Sequence, residues 1–280
     1  MNETLFVFEN TGIYSSLLAL VLSENSLDYA QVPALEIKRS LGITRGKSDK
    51  VDAKEIAHYA KRNTDKIALS TLPELSLQQL KIVFAEREKT VAAIKTFERT
   101  KENEMFLTKE VFNSVKAINN QTVKHLKKQL VMLDEKIRTL IREDENLYGQ
   151  QQLLKSIPGI GDITSVYILM ATKGFTAFTS GRKFACYSGV APFEHSSGTS
   201  IKGKTRVSHL ADKKMKTLLH MASLTAIKYD PELKDYYNRK KAEGKHTMLV
   251  LNNIKCKMVY RIFAVIQRKS NFVNLHKFAA

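Results

Sequence analysis

Between Pro73 and Gly149 the chain contains neither proline nor glycine, and this constrains its fold more than any other feature. Apolar residues recur every three or four positions there: Leu77, Leu80, Val83 and Phe84 early, Leu126, Leu130, Leu133, Ile137 and Leu140 later. A period near 3.6 without breakers predicts long helices, and their length predicts an antiparallel pair of coiled-coil character. Such an insert serves as a spacer or dimerisation arm, or simply as two solvated helices. It divides the chain into expected regions at 1–72, 73–148 (the helical arm) and 149–280.

The first region reads as α/β. Leu5 to Phe8 is a short β-rich apolar run ending at Glu9, with Asn10-Thr-Gly12 as its turn. Ile13 to Ser23 reads as a helix with Leu17, Leu18, Leu20, Val21 and Leu22 on or near one face. Tyr29 to Val32 is a second strand closed by Pro33, so the pair should be parallel. Lys38 to Lys47 is a basic connection, and a helix follows from Asp49 to Arg62. Glu9 stands at the C-terminal end of its strand, where active sites of open α/β sheets collect. Asp49 and Asp52, three apart, share one helix face. Hard cations such as Mg²⁺ take oxygen ligands, so these three carboxylates are candidate metal ligands for phosphoryl transfer. The plainer alternative makes Asp49 an N-cap, Asp52 a dipole-favoured first-turn residue and Glu9 an exposed strand end.

After Gly149, Leu153 to Ile157, the turn Ile157-Pro-Gly-Ile-Gly161 and Ile163 to Ala171 form a helix–hairpin–helix pattern. Gly159 and Gly161 would let backbone N–H groups meet a DNA phosphate at the second helix's N-terminus. An ordinary helix–helix turn is the alternative. Helices are expected at Arg182–Tyr187, Lys213–Lys228, Pro231–Glu243 and Met248–Arg268, making this region all-α around one long loop, Phe193 to Ser208. That loop holds Ser197 beside Gly198, then Lys202, Lys204 and Arg206. A hydroxyl among cations suits attack on a phosphodiester, although Ser-Ser-Gly-Thr-Ser is also what a solvated loop looks like. His195 and His209 flank Ser197 and take no role.

Charge narrows the partner. Lys and Arg number 45 against 28 Asp and Glu, a net +17, and from Gly198 onward 18 bases face 5 acids, so +13 of it lies there. A chain this basic binds a polyanion, most often nucleic acid. Two distant cysteines, Cys186 and Cys256, fit neither a disulfide framework nor a zinc site. The longest apolar stretch, Ile13 to Leu22, is too short to span a bilayer, so the expectation is a cytoplasmic protein without a membrane partner.

Together the motifs resemble the DEDD-type insertion-sequence transposases, the "IS one-ten" group that includes the Piv-type DNA invertases. Phe8-Glu-Asn-Thr-Gly-Ile-Tyr14 resembles the family's second acidic motif and Arg45-Gly-Lys-Ser-Asp-Lys-Val-Asp-Ala53 its paired-aspartate motif. Ile157 to Gly161, Phe184-Ala-Cys-Tyr-Ser-Gly-Val-Ala-Pro192 and Ser197-Gly198 resemble its C-terminal transposase domain. The resemblance implies a RuvC-like, RNase H-type fragment interrupted by the coiled coil. Glu9, Asp49 and Asp52 would be three of its four acidic residues, and Ser197 the serine that joins covalently to DNA. It implies recombination by a homo-oligomer, a dimer or tetramer, with Mg²⁺ and with a structured guide RNA from the element. The family's first aspartate stands on a strand well before the glutamate motif, whereas Glu9 is only eight residues from the start. The expectation is therefore a truncated copy lacking its first strands. Two rival readings are a helix–hairpin–helix DNA binder without chemistry and a metal-dependent junction nuclease.

Overall fold

In the computed structural model, which describes residues 4–40, 48–197, 201–206 and 210–274, the first apolar run forms β1 (Phe6–Glu9). A turn of 3₁₀ helix at Gly12–Ser15 leads into α1 (Ser16–Glu24), and the chain returns as β2 (Tyr29–Val32). The strands pair parallel, Phe6 opposite Tyr29 and Glu9 opposite Val32, as a helical crossover requires. Alternation gives each face its own core. Phe8 stacks on Tyr29, centroids 5.9 Å apart, against Ala19 and Leu22 of α1. Val7 and Val32 lie on the opposite face with Ile37 of α2 (Ala34–Ser40) and with Ile56 and Tyr59 of α3 (Asp49–Arg62).

Three details depart from the sequence reading. Residues 34–40 are helical where a connection was expected from Lys38; Glu36 in the first turn and Lys38 and Arg39 in the last complement the helix dipole. The N-cap of α3 is Ser48, whose hydroxyl accepts from Val51 N at 3.3 Å, so Asp49 is a first-turn residue. Only Ala19 and Leu22 of α1 are buried; Ile13 and Leu17 are each 70% exposed, because two strands are too narrow to cover the whole apolar face. Ser70 closes the far edge of β2, its N–H donating to Tyr29 O and its Oγ accepting from Gln31 N.

The remainder, Leu75–Ala280, is a separate compact unit from Met1–Glu74. The breaker-free stretch forms α4 (Leu75–Arg99) and α5 (Lys109–Arg142), joined by a 3₁₀ segment at Thr100–Met105. At 34 residues α5 is about 51 Å long at 1.5 Å per residue. Ion pairs Arg87–Asp134 (2.6 Å), Glu98–Lys127 (2.7 Å) and Glu104–Lys116 (2.9 Å) mark the antiparallel register. At the base of the pair, Leu77, Leu80, Phe84, Ile137, Leu140 and Ile141 join one continuous core with the helices that follow. Those are α6 (Glu145–Lys155), α7 (Asp162–Thr172), α8 (Gly181–Tyr187), α9 (Lys213–Tyr229), α10 (Pro231–Ala242) and α11 (Thr247–Arg268).

The C-terminal region is not all-α. Where a long loop was expected, β3 (Phe193–Ser197) and β4 (Ile201–Arg206) form an antiparallel pair between α8 and α9. Its polar sequence lacks the apolar alternation that marks a strand half-buried on a core, and backbone pairing sustains it instead.

Two outcomes test this packing. Leu80 is fully buried where the arm enters the core, so Leu80→Ala should cost about 2–5 kcal/mol in urea unfolding, whereas Val131→Ala, at an exposed arm position, should change stability by less than about 0.5 kcal/mol. The Tyr59 hydroxyl donates to Glu36 Oε1 at 2.7 Å, and burial together with that carboxylate pushes its pKa from 10.0 up to about 12. A raised folded-state pKa stabilises fully below the unfolded value and is lost as pH rises through the folded one. The first unit should therefore lose stability between pH 10.0 and about 12, and Tyr59→Phe should flatten that slope in far-UV melts.

Candidate functional site

The acidic residues of the first unit occupy definite places. Glu9 closes β1 two residues after Val7 and so falls on the face that Val7 shares with Ile56 of α3. Asp52 is one turn before Ile56 and belongs to the same inward stripe, 52–56–59. Glu9 and Asp52 are partly buried and Asp49 is exposed. None of the three carboxylates has a hydrogen bond or ion pair to the described residues. As oxygen donors without protein partners, Glu9 and Asp52 fit a divalent cation in chemistry. Among the described residues no group of three or more His, Cys, Asp or Glu is placed to hold a metal ion.

The serine stretch is a hairpin, not a loose cationic loop. Ser197 ends β3 opposite Ile201, Ser196 faces Lys202 and His195 faces Gly203, with an irregularity between Phe193 and His195. Lys202, Lys204 and Arg206 occupy alternate positions of β4. Gly198 and His209, like Arg45 to Lys47 of the paired-aspartate motif, lie outside the described residues. Backbone pairing thus fixes Ser197 beside the tip, with a row of basic positions on the neighbouring strand.

Sequence reasoning missed what holds this hairpin. Asp212, six residues after β4, accepts from two tyrosines on one oxygen: Tyr187 Oη at 2.7 Å and Tyr167 Oη at 2.9 Å from Oδ2. Its other oxygen caps α9, accepting from Met215 N at 2.8 Å, and its own N–H donates to Tyr187 O at 2.9 Å. Tyr187 ends α8 just before the hairpin and Asp212 begins α9 just after it, so the two roots are joined and fastened to α7 through Tyr167. Burial and the Asp212 carboxylate push both phenols well above the ordinary tyrosine range. On α11, Asn252 Nδ2 donates to Val190 O at 2.9 Å and fixes the entry strand again. Asp212 before Lys213 carried an N-cap signal. The tyrosines, 25 and 45 residues away, carried none.

The expected DNA-contacting glycines separate in role. Gly159 has φ +95°, and a Cβ there would stand 2.3 Å from Ala222 O of α9, so the glycine permits helix-to-turn contact. Gly161, the N-cap of α7, is exposed with nothing within 4 Å of a Cβ. Beside it Asp162 pairs with Lys155 and already places a carboxylate at this helix N-terminus. Cys186 and Cys256 are free thiols.

Comparisons with known proteins match this chain in two stretches. Residues 1–103 match a DEDD-type family described as Transposase, of the IS110 kind. Residues 151–238 match the Transposase IS116/IS110/IS902 family. The carboxylates fall in the first match; Ser197, Tyr167, Tyr187 and Asp212 fall in the second. The pilin gene-inverting protein of Moraxella bovis is 28% identical over 95% of this chain and 81% of its own length. Its counterpart in Moraxella lacunata is likewise 28% identical over the same shares. An uncharacterized 42 kDa protein of insertion element IS900 from Mycobacterium paratuberculosis is 33% identical over 46% of this chain and 33% of its own length. These matches lend no support to the expectation of missing first strands.

Gly159→Ala should destabilise the second unit by about 2–5 kcal/mol, from backbone overlap and a strained φ, while Gly161→Ala should stay within about 1 kcal/mol in the same urea titration. Asp212→Ala, which strands two hydroxyls and a helix cap, should cost about 2–4 kcal/mol and raise amide exchange across Phe193–Arg206. Unchanged exchange there would mean the clamp does not hold the hairpin.

Proposed function

We propose that this chain, which belongs to the IS116/IS110/IS902 family of transposases, uses Ser197 as the nucleophile with which it cuts and rejoins DNA. The family makes it a DNA-cutting and rejoining enzyme. The observation that supports the serine is the clamped hairpin, in which Ser197 sits beside the tip next to alternating Lys202, Lys204 and Arg206. In the reaction, Ser197 Oγ attacks phosphorus, and the new O–P bond forms as the bond to the leaving DNA oxygen breaks. The phosphoserine link conserves the phosphodiester for rejoining. The basic row draws in the strand and stabilises charge developing on the phosphate. The serine proton passes to a general base as the new O–P bond forms.

Glu9 and Asp52, with Asp49, would hold a divalent cation such as Mg²⁺, which when bound supplies Lewis-acid polarisation of a phosphoryl oxygen. Relatives named for gene inversion and for insertion elements suggest that the rearrangement is inversion or insertion of a DNA segment. Work as a homo-oligomer, a guide RNA from the element and helix–hairpin–helix contact by α6–α7 complete the reading. No helix among the described residues is long and apolar enough to cross a membrane, and a reaction on DNA would place the protein in the cytoplasm at the nucleoid.

Incubated with recombination-site DNA and resolved under denaturing conditions, the protein should form a covalent DNA adduct that Ser197→Ala abolishes. An adduct that survives the substitution removes Ser197 from the mechanism, and cleavage without any adduct restores the nuclease reading. Binding itself should weaken by orders of magnitude between low and physiological salt if six or more phosphates are neutralised.

A further inference from the structure

Lys255 of α11 is only 4% exposed, yet its ammonium has no hydrogen bond and no ion pair to the described residues. Burial pushes its pKa down, and the charge that bears on it is another cation, Lys216 of α9. An ammonium on a side chain so largely buried, without a counter-charge, is poorly solvated, and a second cation near it adds to the cost. An apolar residue of the same length would pack there without that penalty. The arrangement becomes favourable when an anion sits between the two lysines.

Their position identifies the anion. Lys255 is one turn beyond Asn252, which holds Val190 at the hairpin's entry. Lys216 is one turn beyond Asp212, which holds its exit. The two lysines therefore flank the foot of the hairpin, toward which β4 runs from its tip through Lys202, Lys204 and Arg206. Lys213 and the N-terminus of α9 add positive potential on the same side.

We propose that Lys216 and Lys255 seat one backbone phosphate of the DNA at the foot of the β3–β4 hairpin. The seat continues the basic row of β4 and fixes the strand about one hairpin length from the serine. It rests on the reading of the chain as a DNA-acting recombinase and names a contact beyond the glycines and the β4 cations.

The test uses the full chain and a fluorescent DNA duplex, with Kd followed against salt for the parent, Lys255→Met, Lys216→Met and the double variant. Lys255→Met should keep or raise the melting temperature, weaken binding about tenfold at low salt and lower the salt slope by about one. Lys216→Met, at a partly exposed position, should lose the same unit of slope without affecting folding, so it decides the matter should Lys255→Met fail to fold. Because both lysines would share one phosphate, the double variant should lose less than the sum of the singles. Parent-like affinity and slope in the folded single variants would overturn the seat while leaving the recombinase reading intact. A parent protein with no salt-dependent DNA binding would overturn both.

Discussion

One carboxylate, Asp212, ties the two roots of the β3–β4 hairpin to the helices around them. It receives two phenolic hydroxyls on one oxygen and a helix N–H on the other, and its own N–H returns to the backbone of Tyr187. An excursion of two polar strands has little apolar surface to bury, so packing cannot fix its direction. Stitching its roots together supplies that direction instead. Charge-assisted bonds to a carboxylate are stronger than neutral ones, and the aromatic cluster of Phe178, Phe184 and Tyr187 sets the hub against the core.

The sequence was most informative where a physical period was strong and local. The two strands at Phe6–Glu9 and Tyr29–Val32, the helix at Asp49–Arg62 and the long pair at Leu75–Arg99 and Lys109–Arg142 lie where apolar spacing and breakers put them. It was least informative where pairing is long-range. Phe193–Arg206 contains serines, lysines and glycines that suit a loop as well as a hairpin, and only its backbone partners distinguish the two. The Asp212 hub joins residues from three helices, and neither tyrosine has local company that would reveal it. Gly159 shows the converse case. Its motif context suggests a phosphate contact, while the approach of Ala222 gives the glycine a structural reason of its own.

The acidic residues illustrate how far spacing can be trusted. Three-residue spacing set Asp49 and Asp52 on neighbouring positions of α3, and strand parity put Glu9 on the face that α3 covers. Burial then separated the aspartates, leaving Asp52 on the inward stripe and Asp49 exposed beyond the Ser48 cap. Convergence of three carboxylates depends on where several backbone segments end, which no periodicity encodes.

Helix α9 connects the separate observations in the second unit. Its N-terminus is Asp212, which anchors the hairpin; one turn on stands Lys216, beside the buried Lys255. Two further turns bring Ala222, whose carbonyl admits only a glycine at position 159 and so sets how closely the α6–α7 turn may lie. At its C-terminal end Asp230 caps α10 and pairs with Arg261 of α11, which in turn reaches Glu232. Hairpin root, lysine pair and glycine turn are thus attached to successive turns of one helix. At 1.5 Å per residue their spacing along it is set by sequence position alone. A DNA strand that touches the hairpin and the turn would be measured against a single rigid rod, and small changes in the packing of α9 would move all of its contacts together.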